Sequence, residues 1–228
     1  MSDWNAFTES VPWFVNPDQA VTIDDSVSRL TTSTAFQDRF PVLADLLHRA
    51  RVSRVTIDST EYDLLGWDSD DGFSIGWLCP ATFDSAPNDI LEDHCLLLSV
   101  FGGVVERFNE PEDTWLLNHN DVLTLREASH DASFIANYQW AFEDAGIEVP
   151  IAFKDYYAIA REANGNTTLC HRKTGEVILF ASDHAYDHIT PLKGCPEYTL
   201  YTIDDAPTFA DWVEEIARQW QSHTTKEA

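Results

Sequence analysis

The side chains with the densest chemical capacity stand in SDHAYDH, residues 182–188, where Asp183, His184, Asp187 and His188 place carboxylates and imidazoles in one short stretch. Imidazole and carboxylate are the usual ligands of zinc and iron. Asp183, His184 and His188 are therefore the candidate metal ligands, and a metal-dependent hydrolase built on them is the alternative reading of function. A zinc enzyme normally sets two histidines at i and i+4 on one helix face with a glutamate beside the first, so that a bound water loses its proton in place. Here the pair follows a predicted strand, the companion acids are aspartates, and Thr190-Pro191 ends any short helix. Cys170 and Cys195 could complete a set of four ligands, but nothing in their spacing compels it. The preferred reading is a polar loop whose Asp and His side chains bond turn backbones, with no metal and no cofactor expected.

Two other motifs call for chemistry that their surroundings do not support. GFSIG, residues 72–76, matches the nucleophile-elbow pattern G-x-S-x-G, which needs a strand, a sharp turn and then a helix. In this chain a turn precedes the pattern and an alternating strand follows it, so no helix N-terminus is at hand for an oxyanion hole. DSDDG, residues 68–72, has the acids of a calcium loop but neither their spacing nor the closing glutamate, and reads as a solvated hairpin turn. NGN and FGG lack the spacing and the basic residue of a phosphate-binding loop.

The elements that would position these residues follow from periodicity. Phe36, Phe40, Leu43, Leu47 and Ala50 recur at helical steps from Thr34, with Pro41 kinking or restarting the helix. VSRVTI, EYDLLGW and FSIGWLCP read as a meander of three strands. Ile90, His94, Leu97, Leu98 and Phe101 step as a helix over 88–101, stopped by Gly102-Gly103. VVERF follows as a strand, DTWLLN and DVLTLRE look extended, and SHDASFIANYQWAFEDAG looks helical up to Gly146. YYAIARE, NTTLCHR and EVILFAS form three strands over 156–181 joined by ANG and KTG turns. TFADWVEEIARQW closes the chain as a helix with Phe209, Trp212, Val213, Ile216 and Trp220 on one stripe behind a Thr208 cap. Strands flanked by helices without βαβ alternation predict an α+β fold with a mainly antiparallel sheet. Residues 1–33 are expected to form an irregular lead-in pinned by Trp4, Trp13 and Phe14, residues 34–222 one α+β domain, and residues 223–228 a disordered tail.

Composition bounds the setting. A chain of 228 residues can bury roughly 70% of its unfolded surface and needs no covalent staples. The four cysteines form no C-x-x-C pair and the first residues carry no basic, then apolar, leader, so a cytoplasmic protein with reduced thiols is expected. No apolar run approaches the roughly 20 residues of a membrane span. The 39 acidic against 14 basic residues leave a net charge of −25, which repels phosphates, excludes direct nucleic-acid binding and attracts cationic partners. The acids are scattered rather than gathered in one block, which favours a surface kept hydrated in a salty cytoplasm over one shaped to complement a basic protein. The turn at Asp68, Asp70 and Asp71 and the loop at Glu110, Glu112 and Asp113 are the candidate partner-binding edges.

FGG ending a helix at Gly102-Gly103, EANGN at 162–166 before a strand, GEV at 175–177 opening another, DH at Asp183-His184 after it, and the closing TF helix at Thr208-Phe209 occur in an order that resembles the SUKH superfamily. That superfamily includes fungal cell-wall assembly regulators and bacterial immunity proteins against polymorphic toxins. The resemblance covers roughly residues 34–220; the segment 110–146 is longer than the family's usual middle, and the N-terminus is extra. It implies a single, mainly antiparallel mixed sheet with helices packed against it, no catalytic machinery, and action by binding a protein partner, either a toxin neutralised by an immunity protein or the target of a related regulator.

Overall fold

The computed structural model describes residues 2–24, 29–82, 89–183 and 187–225. In chain order its elements are helix α1 (Asp3–Ser10), strand β1 (Val21–Asp24), helices α2 (Thr34–Arg39) and α3 (Pro41–Arg49), and strands β2 (Arg51–Ile57), β3 (Thr60–Asp68) and β4 (Ser74–Pro80). Helix α4 (Glu92–Leu98), strands β5 (Glu106–Phe108) and β6 (His119–Val122), and helices α5 (Leu125–Ala128) and α6 (Gln139–Asp144) follow, with a 3-10 helix over Ala132–Tyr138. Strands β7 (Tyr156–Glu162), β8 (Thr167–His171), β9 (Val177–Phe180), β10 (Ile189–Pro191) and β11 (Leu200–Ile203) lead to helix α7 (Phe209–Ser222).

The fold is α+β, but it carries two antiparallel sheets where one was expected: β1-β2-β3-β4-β5 and β10-β11-β9-β8-β7-β6. The division falls between β5 and β6, because β5 bonds to β4 while β6 bonds to β7. Local turns close each meander, and the alternating pattern of a strand does not say where one sheet stops and the next begins. The chain divides into two compact units, residues 1–85 with 96–117 and 213–228, and residues 86–95 with 118–212. The span 34–222 is thus shared between them.

In the first unit, the two-residue period of the strands sorts side chains between the faces of the five-stranded sheet. Val55, Leu64, Leu78 and Phe108 pack with Phe7 of α1 in one apolar cluster. On the alternate positions, Trp67 and Trp77 meet edge to face with ring centroids 5.0 Å apart, and Trp220 of α7 lies 5.1 Å from Trp77. Trp67 Nε1 donates to the Leu46 carbonyl of α3 at 2.9 Å. Pro41 occupies the first turn of α3, where its missing N–H costs nothing, so it restarts the helix as predicted.

The first residues are not irregular as expected. Ser2 caps α1, accepting from the Asn5 N–H at 3.3 Å, and β1 pairs with β2. Residues 223–225 are not a loose tail either: the Thr225 N–H and hydroxyl both donate to the Asp68 carbonyl, at 2.9 and 2.8 Å.

In the second unit, β7, β8 and β9 form the predicted meander, and their inward positions Tyr156, Ala158, Leu169, Ile178 and Phe180 pack with Ala132, Ile135 and Phe142. DVLTLRE is extended only to Val122. Thr124 then accepts from the Glu127 N–H at 3.1 Å and starts α5, so the threonine acts as a cap rather than as a β-former. DTWLLN makes turns instead of a strand, and of the helix expected over 88–101, whose residue 88 lies outside the described residues, only Glu92–Leu98 is α-helical among those described. Among the described residues no helix is long and apolar enough to cross a membrane.

Candidate partner-binding site

Helix α1 carries Asp3 in its first turn, where a carboxylate suits the helix dipole. Because Phe7 is anchored in the apolar cluster, Asp3 is directed onto the sheet at Gly66, where an added Cβ would lie 2.3 Å from the Asp3 Cγ. Strand register places Arg51 opposite Gly66. Its Nε and Nη2 donate to the two Asp3 oxygens at 3.0 and 2.8 Å, and its Nη1 reaches Asp68 at 2.9 Å. These bonds, that to Asp3 first, hold the Arg51 guanidinium above its ordinary pKa and so firmly cationic. The Ser74 hydroxyl donates to Asp3 as well.

Gly76, paired with Gly66, is required by close packing: a Cβ there would meet the Leu65 carbonyl oxygen at 2.0 Å and the Phe108 ring. Ser74 and Gly76 of the GFSIG motif therefore have structural roles. Ser74 opens a strand, and no helix follows it.

The β3–β4 turn is held from several directions. The Ser69 N–H donates to the Phe73 carbonyl at 2.8 Å, the Phe73 N–H donates to the Ser69 hydroxyl at 3.1 Å, and Ser69 bridges to Thr224. The backbone of Phe73 is thus fixed while its side chain stands in solvent, 67% exposed. Beside it lies a groove of about 860 Å³, walled by Asp3, Glu9, Arg51, Asp68, Phe73 and Asn109. Three carboxylates against one guanidinium make its wall net negative.

Of the acids singled out from sequence, Asp68 is at the groove with its side chain 68% exposed, and Asp70 and Asp71 are exposed on the adjoining turn. Glu110 differs. It accepts from Arg107 Nε and from the Thr114 hydroxyl, both at 2.7 Å, so it braces its own loop, while Glu112 and Asp113 face solvent. Asp183 and His188 are exposed, and His184 lies outside the described residues. Among the described residues no three His, Cys, Asp or Glu side chains converge on a metal-holding position.

Sequence reasoning missed Asp3, Arg51 and Phe73. A signal for α1 existed: Ser2 stands one residue before an acid, and Trp4, Phe7 and Val11 step by three and four. No local pattern pairs Asp3 with Arg51, which is 48 residues away.

The second unit holds a different polar arrangement. His94 Nε2 donates to the Leu123 carbonyl at 2.9 Å, which leaves Nδ1 to accept from the Tyr157 hydroxyl at 3.0 Å. Burial lowers the His94 pKa to about 4, partly offset by the Leu123 bond, and burial pushes Tyr157 well up and Cys170 up to about 12. His94 and Tyr157 are both sealed from solvent. They satisfy one another in the interior, as buried polar groups must.

Comparison with known protein families, with curated proteins and with solved structures finds no match to this chain.

Proposed function

We propose that this protein acts by binding rather than catalysis, and that it meets a basic protein partner at the hairpin of Asp68, Asp70, Asp71 and Phe73 and the groove beside it. The observation that carries this reading is Phe73, an aromatic ring 67% exposed on a turn held by the protein's own hydrogen bonds. A turn whose backbone is already held in place loses little entropy on association, and aromatic side chains carry much of the energy of protein interfaces. Its acidic surroundings add a preference for cations. Many arginines are taken up internally, as with Arg54 on Asp63 and Arg161 on Glu127, so the surplus of carboxylates is left to face solvent. The resemblance to the SUKH superfamily supports the same class of action, and an immunity protein neutralising a toxin in the cytoplasm, or a related regulator, is its specific form.

The test is the association rate with the partner recovered from native lysate, measured across a salt series. Steering by acids makes that rate fall steeply with salt. D68N/D70N/D71N and F73A are each expected to weaken binding, the first mainly through the association rate. If both bind at the parental rate across the salt range, the acids serve hydration alone and the reading is wrong.

A further inference from the structure

The groove already shows how it handles a guanidinium. Arg51 forks onto both oxygens of Asp3, whose side chain is only 9% exposed, and it touches Asp68 with its remaining nitrogen. The two contacts differ in kind. The first is enclosed and also receives the Ser74 hydroxyl. The second involves a carboxylate 68% exposed, and such open ion pairs contribute little. Asp68 can therefore exchange its partner without disturbing Asp3. Glu9, which also lines the groove, is exposed and makes no hydrogen bond or ion pair among the described residues. The exposed Phe73 side chain lines the same groove.

Resting on the binding role above, we propose that the groove takes an arginine side chain of the protein partner, its guanidinium stacked on Phe73 and forked onto Asp68. Charge alone would admit any cation. The pairing of an exposed aromatic face with a carboxylate favours a guanidinium, which is planar, weakly hydrated and able to stack and donate two parallel bonds at once. A lysine ammonium is a compact, strongly hydrated charge and loses more on leaving water. Glu9 supplies a further negative charge at the same groove, which offsets the positive charge of Arg51 and keeps the groove attractive to a further cation.

The full chain, labelled with 15N, is titrated with acetyl-Gly-Arg-Gly-amide, with its lysine counterpart and with the uncharged citrulline counterpart. The arginine peptide is expected to shift the amides of Phe73, Ser74 and Asn109 saturably, to bind at least about threefold more tightly than the lysine peptide, and to lose at least about threefold in F73A and in D68N. Citrulline should produce no shift. D144N/E148Q, which removes two exposed acids in the second unit, should bind like the parent. Equal binding of arginine and lysine, binding of citrulline, shifts confined to other residues, or indifference to F73A and D68N overturns the proposal. The two readings fail separately: a partner lost in D68N/D70N/D71N while both peptides bind alike removes only the arginine assignment, whereas a partner unaffected by that variant removes the binding site itself.

Discussion

The Asp3 carboxylate rests on the bare α-carbon of Gly66: a methyl group there would come within 2.3 Å of Asp3 Cγ and Oδ2. Gly66→Ala is therefore expected to push Asp3 away, open the Arg51 fork and destabilise the protein by about 1 to 3 kcal/mol, as overpacking does. A urea midpoint measures it. In an Asp3→Ala background the same change should cost clearly less; equal costs in both backgrounds would locate the strain elsewhere, for example at the paired Gly76.

Trp220 is fully buried, with its ring centroid 5.1 Å from Trp77 and 6.1 Å from Trp67. Trp220→Ala should lower stability by about 3 to 5 kcal/mol, and Trp212→Ala, equally enclosed in α7, by a similar amount. A thermal midpoint that barely moves would mean that the stripe is not core.

His94 gives the protein a defined acid sensitivity. Burial holds its pKa near 4 against an ordinary 6.5, so the folded state favours the neutral ring. The stability this contributes is fully present above about pH 6.5 and is lost as pH falls from there towards 4, about 3 kcal/mol in all. Unfolding free energies of the parent and of His94→Gln, compared from pH 7 to pH 4, should converge as the pH drops. Parallel curves would show that His94 does not carry the effect.

Glu110 and Asp113 looked alike as loop acids, yet the structure separates them. Glu110→Ala removes the acceptor of Arg107 and Thr114 and should cost about 1 to 3 kcal/mol. Asp113→Asn, exposed and in a left-handed conformation that asparagine tolerates, should stay within about 0.5 kcal/mol. Thermal melts of the two variants decide it, and equal shifts would contradict the assigned roles.

What the sequence determined by itself was local. Alternating β-formers bounded by DSDDG, ANG and KTG marked β2 to β4 and β7 to β9, and the apolar stripe of Phe209, Trp212, Val213, Ile216 and Trp220 marked α7. Each signal arises within a few residues, from side-chain alternation, helical spacing or the backbone freedom of a turn. Where local signals conflict, they misled: Val122 and Thr124 are β-formers, while Leu125, Arg126 and Glu127 favour helix, and the Thr124 cap decides for helix. The tertiary structure alone decided that the strands form two sheets, that Glu110 is consumed by Arg107, and that Asp3, Arg51, Asp68 and Phe73 surround one groove. Those outcomes depend on which distant segments meet. A carboxylate and a guanidinium 48 residues apart leave no periodic trace in the chain, because the free energy that joins them exists only after the sheet has placed Gly66 beneath Asp3 and opposite Arg51.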